Sequence, residues 1–76
     1  MNFDIEWFKR EMVVINCQTE DDARQFLSYL EAHGFNGCSV SSWRTNTSHT
    51  CYRSTESGCI SYSSRFFYSE RGYEII

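Results

Sequence analysis

Five side chains in the second half of this 76-residue chain have the chemistry to hold an anion: Trp43, Arg44, Arg53, Tyr62 and Arg65. A guanidinium presents a planar fork of N–H donors that grips phosphate or carboxylate through two bonds at once. An aromatic ring beside it offers a stacking face. Trp43-Arg44 ends an expected strand just before the polar run Arg44 to His49, where side chains are reachable yet held by the sheet. Arg53 and Tyr62 fall on an expected hairpin, and Arg65 opens an expected helix whose N-terminus also favours anions. The five read as a ligand- or partner-binding set. Ordinary sheet packing with a solvated charged rim accounts for the same residues, and both readings stay open.

Other reactive types are present without a reactive pattern. His33, Cys38, His49 and Cys51 are soft metal ligands, but zinc sites usually draw on closely spaced cysteine pairs and no Cys-x-x-Cys occurs. Cys17, Cys51 and Cys59 fall in expected strands, where a thiol packs as a small hydrophobe. A Cys–His nucleophile and base is the catalytic alternative. No cysteine opens a helix or follows a glycine-rich turn, and there is no glycine loop to cradle a phosphate. Asp21-Asp22 is explained by its place at a helix start. The reading is of no enzyme, no metal and no cofactor.

Charge narrows the partners. The net charge is −3, with three basic against seven acidic side chains in residues 1–43 and four arginines against three glutamates in residues 44–76. Sequence-independent nucleic-acid binders carry a basic face, so direct nucleic-acid binding is not expected. No apolar run approaches the roughly 20 residues that span a bilayer, so no membrane partner is expected. Asp4 and Glu6 stand where a signal peptide needs basic and apolar residues, so a cytosol with reduced thiols is the expected setting.

The length fits one domain, residues 1–76. A core this small is marginal, and aromatic residues, 17% of the chain, help to fill the shortfall. Trp7, Phe8, Phe66 and Phe67 exceed what one small core absorbs, so a homo-oligomer is expected.

The elements that must position these side chains follow from pattern. Met12 to Cys17 is a β-branched apolar run suited to a central strand. Thr19 is a good N-cap, Glu20-Asp21-Asp22 favour the positive helix end, and Ala23, Phe26, Leu27 and Leu30 form one apolar stripe. Gly34 ends that helix, placed at about 20–33. Phe35 to Trp43 reads as a loop and a second strand. Cys51–Arg53 and Cys59–Tyr62 flank a turn with Gly58, giving a hairpin. A short helix at about 64–71 stops at Gly72, and Tyr73 to Ile76 closes as a strand. Phe3, Ile5 and Trp7 alternate like a strand, while Trp7 and Phe8 suit a short helix. Strand, helix, glycine, aromatic, strand occurs twice, with Gly34-Phe35 and again with Gly72-Tyr73; each unit fits a βαβ crossover. The fold class is α+β, a small mixed sheet of four to five strands packed by the main helix and the short second helix.

Several segments resemble a loose group of short proteins from phages and prophages of Gram-positive bacteria. The likeness runs from about Val13 to Ile76. It is carried by Cys17-x-Thr19-Glu20-x-x-Ala23-x-x-Phe26-Leu27, Gly34-Phe35, Asn46-Thr47, Thr50-Cys51-Tyr52, Gly58-x-Ile60-x-Tyr62 and Gly72-Tyr73-x-Ile75-Ile76. The chain departs from the group at Gly37-Cys38, where an aromatic is common, and in a shorter loop before Thr50. The resemblance implies an accessory phage gene, often one opposing host defence, and brings no catalytic residues. The expected function is therefore a phage-encoded binding protein that inhibits a host defence component by stoichiometric binding, like an anti-CRISPR. Two alternatives stand beside it: an oligomeric sponge sequestering a cyclic-nucleotide defence signal, and a non-inhibitory protein-interaction module.

Overall fold

The computed structural model describes residues 3–76. Asp4 accepts from the Trp7 N–H at 3.0 Å and starts helix α1, Ile5–Arg10, so the ambiguous opening is helical. Strand β1 is Val13–Asn16. Thr19 then accepts from the Asp22 N–H at 3.1 Å, and helix α2 runs Glu20–Ala32 with Ala23, Phe26, Leu27 and Leu30 buried. Strands β2, Thr50–Ser54, and β3, Ile60–Ser64, form the hairpin. Helix α3 is Arg65–Glu70 and strand β4 is Glu74–Ile75. The fold is α+β, with four strands in the order β3-β2-β1-β4. β2 runs antiparallel to both neighbours, with Tyr52 opposite Ile15 and Tyr62, and β4 runs parallel to β1.

One expected strand does not form. Phe35 to Trp43 yields a single parallel bridge, Asn36 to Cys59, and then a 3-10 run from Val40 to Thr45. The serines explain this. Ser42 Oγ donates to the Ser39 carbonyl at 2.8 Å and shares a 2.9 Å bond with the Tyr52 hydroxyl, a local alternative to a sheet ladder.

The repeated pattern has a structural counterpart. β1 and β3 both oppose β2, so β3, β1 and β4 all run the same way. From β3, α3 crosses to β4 at one edge; from β1, α2 crosses to the Asn36 bridge at the other. Each helix ends at a glycine with positive φ, +90° at Gly34 and +81° at Gly72, a conformation a side chain resists. The two crossovers lie on opposite faces. α1 and α2 cover Val13, Cys17, Tyr52 and Ile60, whereas Tyr68 of α3 packs with Val14 and Cys51.

The first face absorbs most of the aromatic excess. Phe3 meets Trp7, Phe8, Phe26 and Tyr29 edge-on, and Phe8 is buried. Trp7 and Phe8 are thus accounted for within one copy, whereas Phe66 remains 61% exposed. All four cysteines are free, and burial, with the Asp22 charge adding to it, pushes the Cys17 thiol from 9.0 up to about 12. The folded thiol keeps its proton where the unfolded one has lost it. Stability from this group is therefore intact below pH 9 and is lost as pH rises toward 12. Chemical denaturation from pH 9 upward is expected to show falling stability in the parent and a flatter profile in Cys17→Ala. Parallel profiles would mean the Cys17 thiol does not couple to folding.

Candidate functional site

The face under α3 carries the candidate site. Strand alternation puts Arg53 on this face of β2 and Ser61 and Ser63 beside it on β3. The hairpin that sets this register is closed by the Thr55 N–H donating to the Cys59 carbonyl at 2.8 Å. Ser64 caps α3 by accepting the Phe67 N–H at 3.2 Å, which lays Tyr68 onto the sheet and holds Phe67 and Arg71 at the rim. Gly72 then returns the chain so that Tyr73 meets Tyr68 edge-on, with ring centroids 5.1 Å apart. These groups enclose an open cleft of about 360 Å³.

Two guanidiniums line it, each held by a ring. Arg71 lies 3.7 Å from the centre of the Phe67 ring and donates to the Phe67 carbonyl at 3.4 Å. Arg53 lies 5.2 Å from the centre of the Tyr73 ring. A ring face orients a guanidinium without cancelling its charge. Among the described residues the ion pairs involve only Arg24 and Arg44, so no carboxylate lies within 4.0 Å of Arg53 or Arg71. Burial raises the Tyr68 phenol above its ordinary value, while Ser61 and the Arg53 charge act the other way, so the hydroxyl stays a neutral donor. The lining has no imidazole, thiol or carboxylate. It offers a ligand positive charge, hydroxyls and ring faces.

The five residues singled out by sequence divide. Arg53 lines this cleft; Tyr62 borders it on β3, but its ring lies on the opposite face, with its centroid 6.3 Å from that of Tyr52. Trp43 does not line it: its indole N–H donates to the Cys17 carbonyl at 2.8 Å and its ring packs on the opposite core. Arg44 is 3.5 Å from Glu20 at the start of α2, away from Arg53. Arg65 begins α3 on an exposed surface outside the cleft lining. The failure at Trp43-Arg44 has the same cause as the missing strand, because the 3-10 run turns this segment toward α2. Arg71 was missed. The signal for it was its spacing of four from Phe67 on a short helix, just before the Gly72-Tyr73 return.

The remaining candidates have local explanations. Glu20 pairs with Arg24 at 3.2 Å, and Asp21 accepts from Gln25 at 2.8 Å. His33 stacks on Tyr29 with centroids 4.3 Å apart, and His49 on Phe66 at 5.1 Å. Among the described residues no group of three His, Cys, Asp or Glu gathers to hold a metal, and no helix is long and apolar enough to cross a membrane. Compared with known proteins, the chain matches no family model, no curated protein and no solved structure, so its own cleft carries the functional argument.

Proposed function

We propose that this chain is a non-catalytic binding protein that captures an anionic, nucleotide-type ligand in the Arg53–Arg71 cleft. The carrying observation is the pair of unneutralised guanidiniums on ring faces in one cleft with serine hydroxyls. Phosphate suits the arginines and serines, and a planar base suits Tyr73 and Phe67. The volume of about 360 Å³ lies near the lower end of the roughly 300–1,000 Å³ typical of small-molecule sites, room for one nucleotide unit. Given the phage resemblance, the setting is counter-defence: removal of a nucleotide signal in a host bacterial cytoplasm.

Calorimetric titration with adenosine and guanosine monophosphates tests the reading. The parent is expected to bind, and Arg53→Ala to bind about tenfold more weakly or worse, since a charge-assisted hydrogen bond contributes about 1.5–3 kcal/mol. Arg44→Ala should bind like the parent. Equal losses in both variants would move the site back toward Trp43-Arg44. No binding by the parent would remove it.

A second reading is stoichiometric inhibition of a host defence protein, as an anti-CRISPR does. Phe66, 61% exposed on α3 beside the cleft, favours it as an anchor for an acidic partner. Loss of protection in a phage assay with Phe66→Ala, while nucleotide binding stays intact, would select this reading.

A further inference from the structure

Resting on the cleft reading above, we infer that the Arg53–Arg71 cleft selects a terminal phosphate monoester, taken as its dianion, over a phosphodiester. The ligand class is thereby a linear nucleotide with a free phosphate end, rather than one whose phosphate is cyclic or internal.

The sheet supplies the seat. Arg53 lies directly opposite Ser61 in the β2–β3 ladder, and Ser63 follows two residues on along the same face. Residues opposed in this way stand about 4.5–5.5 Å apart at Cα, so a guanidinium and a hydroxyl can reach one phosphate together. Tyr68, 2% exposed, closes the floor, and the Tyr73 ring orients Arg53 from the side. Arg71 enters from the opposite wall. It caps the end of α3, stacks on Phe67 and donates to the Phe67 carbonyl, which aims its charge at the same space.

The charge count decides between the two kinds of phosphate. Arginine stays protonated at any pH at which the fold survives. Of the elements around the two guanidiniums, β3 brings serines, α3 brings Phe67 and Tyr68, and the return after Gly72 brings Tyr73. The acids next to them in sequence, Glu70 and Glu74, are exposed and lie outside the lining. The cleft thus presents two positive charges and no negative one. A phosphodiester brings a single negative charge and leaves one guanidinium uncompensated. A monoester brings up to two, with three acceptor oxygens, once its second proton leaves near pH 6.

That proton belongs to the ligand. No imidazole, thiol or carboxylate lines the cleft, so affinity for a monoester should follow the phosphate's own ionisation and fall as pH drops through about 6.

Calorimetric titration with adenosine monophosphate and with adenosine 3′,5′-cyclic monophosphate, at about pH 7.5 and about pH 5, tests this. At the higher pH the parent is expected to bind the monoester at least about tenfold more tightly than the cyclic diester. At the lower pH the monoester should lose most of that advantage, while the diester's weak binding stays level. Phosphorus NMR of the bound monoester should show its second protonation displaced to lower pH than in the free ligand. Arg53→Ala and Arg71→Gln should each narrow the preference. Ribose 5-phosphate, which lacks the base, should share the preference over the diester; binding it as tightly as adenosine monophosphate keeps the monoester class and removes the nucleotide. Equal affinity for the two adenosine ligands overturns the inference and leaves the cleft standing. A preference that survives both arginine substitutions, or a diester affinity that falls with pH as the monoester's does, overturns it as well. Absence of binding by every one of these ligands removes the cleft reading together with the inference.

Discussion

Leu27→Ala is expected to destabilise the fold by about 2–5 kcal/mol, the range for emptying a buried leucine site. Leu27 is 1% exposed in the middle of α2, flanked on its stripe by Ala23, Phe26 and Leu30. The cavity has little room to close, because the surrounding aromatic rings are held edge-to-face: Phe26 against Phe3 and Phe8, and Phe8 against Phe35. Domains have a total stability of about 5–15 kcal/mol, so the loss takes a large share. Thermal melts followed by circular dichroism should fall by on the order of 10 °C or more at this chain length. Ser28→Ala, one residue along on the exposed side of the helix, should leave the melt in place. A parent-like melt for Leu27→Ala would mean that α2 does not seal the main core.

The second large effect concerns binding. Arg53→Ala combined with Arg71→Ala is expected to lower nucleotide affinity by roughly a hundredfold or more, from two charge-assisted contacts of about 1.5–3 kcal/mol each. The melting temperature should hardly move, because neither guanidinium is paired with a carboxylate and neither is buried. Arg71→Lys sharpens the measurement. Lysine keeps the charge but loses the planar fork that stacks on Phe67, so a partial loss is expected. Full affinity in the double variant would show that the ligand is held elsewhere. A collapse of the melt would show that the arginines are part of the structure instead.

How much could be read in advance depended on whether a signal was local. Thr19, the acids after it, the stripe to Leu30 and Gly34 all lie within one helix, and the structure realises them residue by residue. The β2–β3 hairpin was equally legible, since its turn and both strands lie within Thr50–Ser64. Trp43-Arg44 was not. Its fate hangs on a bond between Ser42 and Tyr52 and another from Trp43 to Cys17, both made by tertiary neighbours. The site was half legible for the same reason. Arg53 could be placed from the hairpin alone, whereas Tyr62 turns its ring to the other face beside Tyr52, and Arg71 joins the cleft only because α3 folds back across the sheet.

The position of β4 governs when the site comes into being. Val13 pairs with Glu74 across a separation of roughly 60 residues, a loop whose closure carries the largest entropy among the strand pairings. The hairpin closes early and cheaply by comparison, so Arg53, Ser61 and Ser63 are in register long before the last strand docks. Tyr73 stands just ahead of β4 and gives Arg53 its ring. The cleft therefore needs the C-terminal return at Tyr73 as well as the hairpin. A nascent or partly unravelled chain keeps its hairpin but holds no finished pocket, and ligand capture is reserved for the copy that has completed its fold.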